Sequence, residues 1–136
     1  MAEFSDWAEN KIIDLMRGTT FNGSTSYVAL FTAVTGLETG TPTAEVVAGS
    51  GYARQVAGLS AASAGTSANG TDITFPTATP GAWGTVSHVA IVDHVSNGSW
   101  GTNVFVYMWS ALDTAKDIQV NDTFKINAGD LDVSVA

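Results

Sequence analysis

His88, Asp93 and His94 lie within one short stretch of the chain. A histidine near a carboxylate is the raw material of an acid–base pair. No Gly-x-Ser-x-Gly elbow accompanies them, so a serine hydrolase triad is not supported. A metal site needs further ligands at suitable spacing, and Asp93 is the only carboxylate near these histidines in sequence. Asp130 and Asp132 flank Leu131, and Asn121-Asp122 forms another polar pair, but no Asp-x-Asp-x-Asp-Gly calcium loop is present. These acids read as solvated turn residues, with a weak Ca²⁺ site as the alternative. No phosphate loop of the form Gly-x-x-x-x-Gly-Lys-Ser/Thr occurs, and the carboxylates show no pairing for glycoside cleavage. Trp83, Trp100 and Trp109 offer flat rings on which a sugar stacks. For most of them a place in the core or at a subunit contact is the stronger reading. The expectation is a structural or binding module that is not an enzyme, with no cofactor and no metal.

Charged residues make up only 13% of the chain against 45% hydrophobic ones, well under the usual share of about a quarter. The surface must therefore be built from Ser, Thr, Asn and Gly. Thirteen acids against five bases give a net charge of −8. That charge repels a phosphate backbone, so no nucleic-acid partner is expected. No polybasic run suggests a membrane surface, and no apolar run is long enough to span one. Without cysteine, disulfides and thiolate metal sites are excluded. The acidic start, Ala2-Glu3-Phe4-Ser5-Asp6, does not resemble a secretory leader, which predicts a protein made and used without export.

The elements that would position these residues follow from periodicity. Trp83 to Asp93 carries Val86, Val89, Ala90, Ile91 and Val92, apolar on both faces, and predicts a strand buried on both sides. Ser26 to Ala33 predicts a second such strand. Near the start, Ser5 is a candidate N-cap, with Asp6 and Glu9 in the first turn. Trp7, Ala8, Ile12, Leu15 and Met16 then form one apolar stripe, Arg17 falls in the last turn and Gly18 can end it. A helix over about residues 5–17 follows. Gly36 to Gly51 is a long connection, and such connections are usually functional or mobile. Gly51 to Val56 and Thr71 to Pro76 read as strands. Ser60 to Gly70 is either a flexible loop or an exposed polar strand. Asn97 to Gly101 marks a turn before a return strand at Val104–Trp109. Ala111 to Lys116 has room for one helical turn, Asp117–Val120 for a short strand. Phe124 and Ile126, then Leu131, Val133 and Val135, alternate to the end. The pattern predicts an all-β chain, 1–136 as one domain: an antiparallel β-sandwich or barrel-like domain with one N-terminal amphipathic helix.

The order of landmarks carries a resemblance. It runs Asp6-Trp7-Ala8-Glu9-Asn10-Lys11-Ile12-Ile13-Asp14, Tyr27-Val28-Ala29-Leu30-Phe31-Thr32-Ala33 and Gly51-Tyr52-Ala53-Arg54-Gln55. It continues through Ile73-Thr74-Phe75-Pro76, Trp83 to Asp93, and Asn121-Asp122-Thr123-Phe124. Taken together these resemble a family of small tailed-bacteriophage virion proteins, often described as tail-fibre-like, some of them similar to capsid cement or decoration proteins. The likeness covers nearly the whole chain and brings no catalytic motif with it. It implies a structural protein of the virion, made in the host cytoplasm. Fibres need length, whereas this chain has no repeat and no coiled-coil heptads. The expectation is therefore a cement protein on the outer capsid surface, a homo-oligomer (a trimer) bridging subunits of the major capsid protein, with modest contacts summed by avidity. Phe4, Trp7 and Ile12, and the loop at Val46-Val47, are the residues expected to grip the capsid. The alternative is a tail fibre or tail tip that attaches to the host through the aromatic loop at Trp100.

Overall fold

The stretch that is apolar on both faces, Gly84–Val92, is the central strand of a five-stranded antiparallel sheet. The computed structural model describes residues 2–96 and 98–135. Asn97, the first residue of the turn expected at 97–101, lies outside the described residues. In chain order the elements are β1 (Glu3–Phe4), α1 (Asp6–Met16), β2 (Tyr27–Phe31), β3 (Gln55–Val56) and β4 (Thr66–Ala68). There follow β5 (Ile73–Thr74), β6 (Gly84–Val92), β7 (Val106–Ile118), β8 (Lys125–Ile126) and β9 (Asp132–Ser134). The main sheet has the order β1-β7-β6-β2-β3, and two short antiparallel ladders, β4-β9 and β5-β8, stand apart from it. The chain is all-β with antiparallel sheets and one N-terminal helix, as its periodicity predicts.

Both double-sided strands are covered on both sides. Val28, Leu30, Val86 and Ile91 pack with Trp83, which leads into β6, and with Ile73, Phe75, Phe124 and Leu131 from the short ladders and their flanks. Ala29, Phe31, Ala90, Val92 and Val106 pack on the opposite face beneath Leu37. Alternation in β2 assigns even positions to one core and odd positions to the other. In β6 the alternation is broken. Val86 pairs with Lys116 and His88 with Ala111, so Leu112, Asp113, Thr114 and Ala115 all lie opposite the single Ser87. This bulge shifts the parity, and Val86 joins the same core as Val89 and Ile91.

The bulge also corrects the reading of Ala111–Lys116, which forms no helical turn. Pairing with β6 on either side carries β7 straight through to Ile118, and the polar residues bow out to solvent. Of the short strand expected at Asp117–Val120, only Asp117 and Ile118 are in β7, while Gln119 and Val120 enter the turn. The strand expected over Gly51–Val56 is paired only at Gln55–Val56. Of the two readings of Ser60–Gly70, the polar strand holds, with Thr66–Ala68 paired to Asp132–Ser134. Asn69 pins this segment. Its side-chain amide donates to Thr71 O and Asn127 O (2.8 and 2.9 Å) and its carbonyl accepts from Gly129 N and Leu131 N (3.0 and 2.9 Å). A buried amide with every group matched holds a low-complexity stretch that has little apolar surface of its own to bury.

The helix begins where the sequence places it. Ser5 caps it by accepting from Ala8 N (3.3 Å), and the same buried hydroxyl donates to Val106 O. Asp6 N donates to Glu38 O (2.9 Å). Trp7 stacks on Phe105 with ring centroids 4.5 Å apart and meets Phe21 and Tyr107. These ties all fall at the start of the helix. Further along, the expected stripe is not buried: Ile12 is 38% exposed, Leu15 49% and Met16 77%, and Ile13 beside them 52%.

Candidate functional site

Arg54 is the residue around which a surface cleft is built. Its side chain is all but buried and faces Glu45, which is nearly as well covered. Arg54 Nε donates to Glu45 Oε1 and Nη2 to Oε2, both at 2.7 Å, a bidentate pairing that matches the guanidinium fork to the carboxylate. The remaining nitrogen, Nη1, donates to His94 O (3.0 Å) and Ser96 O (2.8 Å). Glu45 Oε1 also accepts from the Tyr52 hydroxyl (2.9 Å), whose oxygen accepts from Leu30 N (3.0 Å). Burial, and after it the Glu45 charge, hold the Tyr52 pKa far above its ordinary value, so the hydroxyl keeps its proton and stays a donor. A buried charge pair is tolerated here because each partner is satisfied by further hydrogen bonds.

This network joins two loops to the sheet. Glu45 belongs to the long connection after β2, which Thr32 N→Ala44 O (2.9 Å) and Val46 N→Leu30 O (3.0 Å) lay along that strand. His94 and Ser96 belong to the loop after β6. The Trp100 ring lies over the Arg54 guanidinium, 4.7 Å from centroid to Cζ, and meets Phe31 at 6.1 Å. The turn that presents Trp100 needs two glycines. Gly101 has φ +76°, and a Cβ at Gly98 would stand 2.5 Å from Val104 Cγ2, a group buried in the core. The result is a cleft of about 430 Å³ lined by Pro42, Thr43, Val46, Val47, Gly98 and Trp100, among others.

The residues expected to make contacts thus divide into two groups. Val46, Val47 and Trp100, far apart in sequence, meet in this one cleft. Val46 is buried in its wall, whereas Val47 is 73% exposed at its mouth. Phe4, Trp7 and Ile12 lie at the N-terminal segment instead. Phe4 pairs with Met108 at the sheet edge and Trp7 is half-buried among aromatic rings, leaving Ile12 with Ile13, Leu15 and Met16 as the outward apolar surface. In the sequence Arg54 and Tyr52 stand out only as members of the Gly51–Gln55 landmark, Arg54 as one of five bases, and Glu45 does not stand out at all. The Glu-x₆-Tyr-x-Arg spacing has no helical or strand period, so nothing local marks the three as partners.

The other candidates for chemistry have structural duties. His88 Nδ1 lies 2.8 Å from Ser87 Oγ, and desolvation lowers its pKa. Asp93 Oδ1 accepts from Phe105 N (2.7 Å) and His94 Nδ1 accepts from Ser96 N (3.2 Å). Asp122 closes its turn by accepting from Gln119 N (2.9 Å), and Asp130 accepts from Asn127 Nδ2 (3.2 Å). Among the described residues no three His, Asp or Glu side chains gather as metal ligands. Trp83 is buried and donates to Ser50 O (2.9 Å), and Trp109 donates to Glu38 Oε2 (3.0 Å). Trp100 makes no such donation among the described residues, and it is the tryptophan of the three that lines the cleft.

No curated protein matches the chain. Residues 3–134 match the family model described as "Podophage GP4 fiber I protein gp80". That match spans both cores, the helix and the cleft, and it agrees with the tail-fibre-like resemblance carried by the sequence landmarks. The chain belongs to this family of phage virion structural proteins.

Proposed function

We propose that the chain serves the fibre apparatus of the virion as a small, non-catalytic attachment module that works as a homo-oligomer. The observation that carries this reading is the family description, a fiber protein, matched over residues 3–134. The geometry supports binding rather than catalysis, because the groups capable of acid–base work are consumed in turns and loop ties. The exposed row Ile12, Ile13, Leu15 and Met16 supports a docked partner, since contiguous apolar surface is seldom left to water. A second reading, a trimeric cement protein bound to the major capsid protein on the outer shell, is favoured by the lack of repeats and heptads in an acidic chain.

Copy number separates the two. Quantitative mass spectrometry of purified virions, scaled to the major capsid protein, is expected to give on the order of a few to tens of copies; on the order of hundreds, the number that avidity over a shell requires, overturns the fibre reading for cement. The anchoring surface has its own test. Deleting residues 1–17 would remove the buried Ser5 and β1, so point changes are the cleaner probe. The double variant Ile13→Glu/Met16→Glu is expected to melt within about 2 °C of the parent, as surface changes do, while particles assembled with it lose the protein. Normal incorporation would show that the helix is not the anchor.

A further inference from the structure

The cleft of Trp100 has the composition of a carbohydrate subsite rather than of a protein-docking groove. A sugar ring presents an apolar C–H face flanked by hydroxyls. It is held by an aromatic plane together with hydrogen-bonding groups set in fixed positions. Trp100 supplies the plane, Pro42 and Val47 the apolar borders, and Thr43, which lines the same cleft, carries a hydroxyl. The volume of about 430 Å³ lies within the range of small-molecule sites.

Charge narrows the ligand. The chain carries −8, so an acidic polysaccharide approaches against the field. Within the cleft, Glu45 is the charged lining residue, and Arg54 neutralises it through two hydrogen bonds of 2.7 Å. The wall therefore presents no net charge to a ligand. The same pair fixes the cleft before anything binds. Arg54 holds the loop of His94 and Ser96 and lies under the Trp100 ring, while Glu45 holds the opposite loop. Preorganised walls save the ordering cost that otherwise weakens the binding of flexible, hydroxyl-rich ligands.

We propose that the cleft between the Val46-Val47 loop and Trp100 binds a neutral sugar unit of a surface polysaccharide. This rests on the fibre reading and names what such an attachment module would hold. Purified full-length protein is applied to a printed array of neutral glucans, galactans, mannans and N-acetylhexosamine oligomers, beside polymers of uronic and sialic acids. Binding is expected on one or more neutral glycans. Trp100→Ala is expected to lower it roughly tenfold, the scale of one lost aromatic contact. Removing the indole also bares Arg54, so Val47→Arg is the companion variant. It changes a residue already 73% exposed, leaves both cores intact and obstructs the mouth. Absence of neutral-glycan binding, binding confined to the acidic polymers, or full signal from Val47→Arg overturns the proposal. Fibre-like copy number with no glycan binding would remove the sugar and leave the fibre reading standing. Neutral-glycan binding by a protein present at shell-like copy number would do the reverse.

Discussion

Arg54→Ala is expected to destabilise the protein by about 3–5 kcal/mol, the cost of stranding a buried charge when its partner is removed. Glu45 would keep its carboxylate under cover with only the Tyr52 hydroxyl left to it, and His94 O and Ser96 O would lose their donor. Arg54→Lys is expected to recover little. One ammonium cannot reproduce a fork that reaches two carboxylate oxygens on one side and two carbonyls on the other. The informative comparison is the double variant Glu45→Leu/Arg54→Met. Replacing both ions by apolar groups of similar bulk is expected to cost less than Arg54→Ala alone, because no unpaired charge remains. Urea unfolding gives the test through the midpoint at constant slope. A loss under about 1 kcal/mol for Arg54→Ala would show that solvent reaches the pair and that it does not frame the cleft.

Phe75→Ala should rival it. Phe75 is 1% exposed and stands at the centre of an aromatic group, with Tyr52 stacked at 6.1 Å, Phe124 edge-on at 5.6 Å and Trp83 edge-on at 6.3 Å. Truncation removes the ring and leaves a void that these rigid neighbours cannot close, at about 3–5 kcal/mol. In a domain whose whole stability is of the order of 5–15 kcal/mol, that loss lowers the melting temperature by roughly 10–20 °C. Phe75→Leu keeps most of the volume and should lose less than half as much. Calorimetry of the pair distinguishes a packed core from a tolerant one. Equal melting temperatures for Phe75→Ala and the parent would mean that the ladders β5-β8 and β4-β9 do not seal the sheet as described.

Much of the fold was legible because its signals are local. Double-sided apolar runs at Tyr27–Phe31 and Val86–Val92 have one stable placement, between two layers, and both lie there. Ser5 followed by Asp6 and Glu9 marks a helix start by capping and dipole alone, and α1 begins there. Where the structure departs from the local signals, a distant part of the chain decides the conformation. Ala111–Lys116 has weak preferences of its own, and β6 decided its conformation by offering a partner on either side of the bulge. The helix α1 carries the apolar stripe that its spacing predicts. Whether a stripe is covered depends on what the rest of the chain brings to it, and the strands reach only its first turn.

The candidate site follows the same division. Trp100, Val46 and Val47 were each noticeable as apolar residues in polar loops. Their meeting in one cleft depends on Glu45 and Arg54, nine positions apart, and on carbonyls some forty residues further on. By itself the sequence determined the class of fold, its central strands, its helix start and its lack of local catalytic motifs, because alternation, capping and residue chemistry act over a few neighbours. Only the tertiary structure decided which loops face each other, how much of the helix stays bare and that a buried ion pair frames an uncharged aromatic cleft. Those outcomes come from long-range pairing and desolvation, which no short window of sequence contains.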